Sequence, residues 1–144
     1  MQNKDMLDHP SASSKEKAAI ECTIRLTHAA LMTQDLSKAI DFYTNVLGLS
    51  LRVEEEDPLR KGHQRAMLID ASGSDAIELI EYRELQHVSV PGHGAVNHVG
   101  FHLPERSWHS LRSRLDEISY PYQEVEGRLF LRDADEVVLE VEST

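Results

Sequence analysis

Two histidines and two glutamates occupy strand positions where a one-sided sheet would ordinarily carry something else. Side chains two apart on a strand share a face. In "THAALM" His28 therefore goes with Ala30 and Met32, and in "NHVGFHL" His98 goes with Gly100 and His102, opposite the apolar set Val99, Phe101 and Leu103. In "AIELIEY" Glu78 shares a face with Ile80, against Ile77 and Leu79. In "VVLEVE" Glu140 lies with Val138 and Glu142, against Val137, Leu139 and Val141. Two neutral imidazoles and two carboxylates suit a divalent first-row metal (Ni, Zn, Co, Mn or Fe), with coordination positions left for water or substrate. A metal held this way polarises a carbonyl or enolate oxygen, and a carboxylate that swings off it can move a proton on the adjacent carbon.

Residues this far apart converge only if the elements carrying them are arranged to bring them together, and the chain is built as a repeat. The first half runs "IRLTHAALMT", the helical "DLSKAIDFYTNVLG", then "SLRVEEE", "HQRAMLID" and "DAIELIEY". The second runs "VNHVGFHL", "PERSWHSLRSRLDE", then "YPYQEV", "RLFLRD" and "EVVLEVE". The stripes Leu36, Ile40, Tyr43, Leu47 and Trp108, Leu111, Leu115, Ile118 predict one helix per half. Asp35 is placed to cap the first and Gly48 to end it. Each half is thus βαβββ, an α+β arrangement whose sheet has one face under its helix and the other open. His28 aligns with His98 (98 − 28 = 70) and Glu78 with Glu140 (140 − 78 = 62), the second half having a shorter loop region.

Residues 1–22 read as a flexible N-terminal tail, and 23–144 as a single domain. Within it, unit one spans about 23–86, a linker with Pro91, Gly92 and Gly94 spans 87–94, and unit two spans about 95–144. With 144 residues, such a domain buries about two thirds of its unfolded surface. The formal charge of −10, with 25 acidic against 15 basic residues and no basic run, repels phosphate backbones and anionic membranes, so nucleic acid is not expected as a partner. No segment approaches the ~20 apolar residues of a membrane span. The single Cys22 has no partner for an internal disulfide and suggests a reducing, cytoplasmic setting.

Taken singly, a strand His or Glu is ordinarily solvated or hydrogen-bonded. Four in matching repeat positions are harder to explain that way. His9, His63, His87 and His109 fall in the tail, in loops or on a helix, while His93 and His102 could reach a pocket mouth. Alternation gives Met32, Tyr82, His102 and Phe130 as walls of a site for a small, partly apolar substrate.

With these segments in view, the chain resembles the vicinal oxygen chelate superfamily (glyoxalase, bleomycin resistance and extradiol dioxygenase proteins) over about residues 23–142. The match is carried by "HAALMTQDLSKAIDFYTNVLGL", "AIELIEY", "NHVGFHLPE" and "LFLRDADEVVLEVE". The resemblance implies a glyoxalase-like fold, two βαβββ units forming a cupped, mostly antiparallel eight-stranded sheet around a divalent metal, usually in a homodimer. It implies metal ligands at His28, Glu78, His98 and Glu140. It also implies glyoxalase I-like lyase or isomerase chemistry, with Glu140 first and Glu78 second as the proton-transferring base. Fosfomycin-type thiol or epoxide transfer, ring-cleaving dioxygenation and metal-free drug binding of the bleomycin-resistance kind are the alternatives. Where the family's closing turn reads Asp-Pro-Asp-Gly, this chain has Asp133, Ala134, Asp135 and Glu136. Met32 and Tyr82 replace the Arg and Asn with which bacterial glyoxalase I contacts glutathione, which points away from a glutathione adduct.

Overall fold

A computed structural model describes residues 19–84 and 96–144 of the chain. Most of the expected tail and the linker, with His9, His87 and His93, lie outside the described residues. Unit one runs β1 (Ala29–Thr33), α1 (Leu36–Asp41), a π-helical continuation (Phe42–Leu47), β2 (Ser50–Glu56), β3 (Gln64–Ile69) and β4 (Asp75–Glu81). Unit two repeats the order with β5 (Val99–Leu103), α2 (Glu105–Glu117), β6 (Tyr122–Val125), β7 (Arg128–Arg132) and β8 (Val138–Ser143).

Each unit makes its own four-stranded sheet, β1-β4-β3-β2 and β5-β8-β7-β6. In both, the first strand lies parallel to the last and the other pairs are antiparallel. Among the described residues no ladder joins the sheets, so one chain holds the eight strands as two sets of four. The parallel pairing matters for the site. It sets Ala30 beside Glu78 and Gly100 beside Glu140, which brings the start of each first strand to the carboxylate of the last.

The helices form as their sequences predict. Asp35 accepts a hydrogen bond from Lys38 N at 3.1 Å, satisfying an orphan donor of the first turn, and Gly48 closes the segment at φ 106°. The last turn widens to a π-helix, in which Gly48 N bonds to Tyr43 O at 3.1 Å. Neighbouring Phe42 and Tyr43 are both buried. On α2, Trp108, Leu111 and Leu115 are buried, but Ile118 is half exposed. The expected stripe stops one member short because the helix ends at Glu117 and Ser119 turns left-handed at φ 54°.

The inward alternates of both sheets (Ile77, Leu79, Leu129, Leu139 and Val141 among them) join the helices in one core. Each such side chain contributes on the order of 1.5–3 kcal/mol by leaving water. The segment Phe42–Leu47 packs directly on α2, and polar contacts fasten the units. Arg114 Nε donates to Val46 O at 2.8 Å, the Tyr43 hydroxyl donates to Asp133 at 2.7 Å, and Gln34 N donates to Asp135 at 3.1 Å. The helical layer and the shared core therefore lie on one side of each sheet, and the open faces look away from it. No helix among the described residues is long and apolar enough to cross a membrane.

Candidate metal centre

His28 directly precedes β1, and its Nε2 lies 3.2 Å from Glu78 Oε2. His98 precedes β5 in the same way, and its Nε2 lies 3.0 Å from Glu140 Oε2. The other ring nitrogen is engaged by the preceding residue in both units, Nδ1 of His28 with Thr27 Oγ1 and Nδ1 of His98 with Asn97 Oδ1, each at 2.9 Å. With the Asn97 amide placed this way, its oxygen accepts from a protonated His98 Nδ1, one of the two tautomers the neutral ring can adopt. In the neutral ring the Nε2 lone pair then faces a carboxylate oxygen. Two such acceptors facing each other make an arrangement that a shared cation would complete. Nδ1–H donation to a neighbour is also how metal-ligating histidines are oriented.

The spacing fits an ion as well. Ligands about 2.0–2.2 Å from one metal and at right angles to each other stand ~3 Å apart. Nitrogen and carboxylate oxygen in this ratio suit the borderline divalent metals.

An arginine holds the far oxygen of each carboxylate. Arg65 Nη1 lies 3.4 Å from Glu78 Oε1, and Arg128 Nη1 lies 3.0 Å from Glu140 Oε1. Arg65 also grips Glu55, and that hydrogen bond above all holds its guanidinium above the ordinary range. Arg128 Nε reaches Glu142 at 3.5 Å. Strand alternation alone does not single out these arginines. The repeat would have exposed them, since 128 − 65 = 63 matches 133 − 70 = 63 for the aspartates that open the two closing turns. A one-residue irregularity between Leu68 and Ile69 in the β3–β4 pairing shifts the offset to 62 at the glutamates.

The four expected ligands come together as two pairs. Among the described residues no three His, Cys, Asp or Glu side chains gather in one group within a single chain. The expected substrate walls are also spread out. Phe130, directly across the ladder from Glu140, lines a groove of about 640 Å³ with Tyr120, Tyr122 and Gln123. Met32 is half exposed on the open face of sheet one. Tyr82 carries the Arg60 guanidinium 3.6 Å above its ring, and His102 borders a separate cleft with Leu47 and Ile69. His63 lies beside Arg60, and His109 lies 3.7 Å from Glu105 on α2.

Residues 25–141 match the family model of the Glyoxalase/Bleomycin resistance protein/Dioxygenase superfamily. A comparison with curated proteins finds no match. Among solved structures, a glyoxylase/bleomycin resistance protein/dioxygenase domain from Frankia sp. EAN1pec is 21% identical with a TM-score of 0.71, covering 83% of this chain and 91% of that one. Glyoxalase I of Leishmania major, described as trypanothione-dependent, is 19% identical with a TM-score of 0.67, covering 84% and 87%. An E126Q mutant of the fosfomycin resistance protein FosX from Listeria monocytogenes, complexed with Mn(II) and 1S,2S-dihydroxypropylphosphonic acid, is 19% identical with a TM-score of 0.62, covering 82% and 90%.

Proposed function

Because the chain belongs to the glyoxalase/bleomycin resistance protein/dioxygenase superfamily, we propose that it is a divalent-metal-dependent lyase or isomerase of the glyoxalase type, moving a proton on the carbon beside a carbonyl of a small substrate. One observation carries this reading. The His–Glu pair is built twice at equivalent positions of the repeat, with Nε2 and Oε2 3.2 and 3.0 Å apart.

His28, Glu78, His98 and Glu140 would hold the ion. Bound there, it supplies Lewis-acid polarisation of the substrate oxygen, which acidifies the adjacent C–H bond. Glu140 takes that proton and returns it, with Glu78 as the second candidate. The Glu140 carboxylate is among the few buried charged groups of the described residues, so bulk water has little access to the proton it would carry. Phe130 walls it off across the ladder. Trp108 Nε1 donates to Val141 O at 3.1 Å and fixes β8 beside it.

Two copies of the chain, as a homodimer, complete each site in this reading. β1 and β5 each leave one edge without a ladder partner among the described residues, and the open faces look away from the shared core. Setting β1 of one copy beside β5 of the other brings His28 and Glu78 of the first to His98 and Glu140 of the second. Such pairing also satisfies two rows of exposed backbone donors and acceptors. Cys22 is exposed and free, the form a thiol keeps in a reducing cytoplasm, where we propose that the protein works.

The test is metal content of the native protein, then a screen of thiol adducts of 2-oxoaldehydes and of epimerisable acyl thioesters. On the substrate found, Glu140→Gln should lower turnover by about 10²–10⁴-fold with the fold intact by circular dichroism. Turnover at the parent rate would overturn the reading.

A further inference from the structure

We propose that Arg65 and Arg128 set the charge of this centre, holding it to what one divalent cation neutralises, and keep each glutamate offering a single oxygen to it. This rests on the metal-dependent reading above.

Both arginines stand at the same place in the repeat and make the same split. In each unit Oε2 of the glutamate faces the histidine, while Oε1 is taken by the arginine at 3.4 Å in unit one and 3.0 Å in unit two. Each guanidinium also meets a second carboxylate, Glu55 in unit one and Glu142 in unit two. With neutral histidines, each half-site carries two carboxylates and one guanidinium, a net charge of −1. Two halves carry −2, equal and opposite to one divalent ion. Without the arginines the sum would be −4.

Packing does not account for Arg65. Its Nε is buried without a hydrogen-bond partner, a desolvation penalty that an apolar residue on the same strand face would avoid. The glutamate ends are largely buried, with Glu78 17% and Glu140 10% exposed. Arg65 is mostly buried while Arg128 is half exposed, so the charge of Arg65 is screened less than that of a surface residue and Arg128 more than Arg65. A positive charge beside the ligand carboxylate must therefore weaken cation binding. It also prevents the carboxylate from closing on the ion with both oxygens.

The sign of the effect separates this role from a structural one. Full-length protein would be titrated with Mn(II), free ion being followed by its paramagnetic resonance, for the parent chain, Arg65→Gln, Arg128→Gln and Arg128→Lys. Either glutamine variant should bind Mn(II) about tenfold more tightly, ~1.4 kcal/mol, and Arg128→Lys, which keeps the charge, should stay near the parent. An ion pair that only braces the strand predicts the reverse, a loosened glutamate and weaker binding. Glutamine variants that bind equally or more weakly would overturn the proposal. A parent chain that binds no divalent ion would instead overturn the metal-dependent reading beneath it. Arg128 is half exposed, so its variants should fold, and thermal melts would check this.

Discussion

The β3–β4 turn of unit one and the β7–β8 turn of unit two make the same hydrogen bonds from different residues. Asp70 N bonds to Ser74 O at 2.9 Å and Gly73 N to Asp70 O at 3.0 Å; Asp133 N bonds to Val137 O at 3.0 Å and Glu136 N to Asp133 O at 3.2 Å. In each, the aspartate Oδ1 accepts two more backbone donors, Ser72 and Ser74 in one, Asp135 and Val137 in the other. Each turn needs one left-handed residue, Gly73 at φ 80° and Glu136 at φ 66°. What differs is the setting. Asp70 is solvated, and the Ser72 hydroxyl leads the hydrogen bonds that hold it below the usual carboxylate range. Asp133 is buried, and burial pushes it up although Tyr43 pulls the other way. The backbone thus requires an acceptor at the first position and positive φ at the fourth. Glycine is dispensable where Tyr43 adds a charge-assisted bond of ~1.5–3 kcal/mol against a left-handed cost of ~1–2 kcal/mol.

The half-sites differ in the same sense. Glu140 is less exposed than Glu78, and Arg128 holds it at 3.0 Å against 3.4 Å for Arg65 on Glu78. Bulk water has least access to Glu140, the first candidate base, so Glu140→Gln should lower kcat by about 10²–10⁴-fold, the span of general acid–base catalysis. Glu78→Gln should lose less, chiefly through metal affinity. Equal losses in kcat would erase the distinction between the units. A smaller effect tests how the units combine. A chain with His28 and Glu78 replaced by Ala, mixed after co-expression with one carrying His98→Ala and Glu140→Ala, should recover about a quarter of parent activity. Half the dimers are then mixed and each keeps one intact site, by the symmetry of a two-fold interface. Sites built within one chain would give none.

The repeat made most of this visible in the sequence. A strand that alternates Ile77, Leu79 against Glu78, Ile80 declares which face meets the helix, and the buried fractions follow it. That the two His and two Glu fall on the open faces was legible from alternation and the repeat, and the parallel pairing of first and last strand in the structure joins each His to its Glu. Three things were not. Ile118 fits the apolar period, but the period does not say where the helix stops. Tyr82 lies on a strand end pointing to a pocket in outline, yet Arg60 claims its ring across a loop of distant sequence. The division into two sheets depends on which strand edges meet, and edges leave no periodic signal.

The turn comparison also predicts stability. Tyr43→Phe removes the hydroxyl at 2.7 Å from Asp133 and should cost ~1.5–3 kcal/mol, read as a lower midpoint in urea. Its pH dependence has a definite sign. Asp133 has a folded pKa above the unfolded one, so the folded state binds more protons between the two values, and its contribution to stability falls as pH rises through that window. The Tyr43 hydrogen bond lowers this pKa, so the variant's window should extend to higher pH. Asp70 runs opposite, its contribution being present above the unfolded pKa and lost as pH falls through the depressed folded value. Urea midpoints from pH ~4 upward, for Tyr43→Phe and Asp70→Asn beside the parent, would check both signs.

The smallest effect is the one that isolates the backbone. Glu136 sits at φ 66° with its carboxylate 3.5 Å from Arg132, an exposed pair worth little. Glu136→Gly relieves the left-handed strain but frees the unfolded chain, so the net gain should be only ~0.5–1 kcal/mol. The reciprocal Gly73→Glu, at φ 80° with open space around it, should destabilise by ~1 kcal/mol, since no buried tyrosine braces that turn. Equal and opposite shifts in urea midpoint would mean that φ alone sets the cost. A markedly larger loss at Gly73 than gain at Glu136 would mean that the Tyr43–Asp133 bond already absorbs part of the strain in unit two.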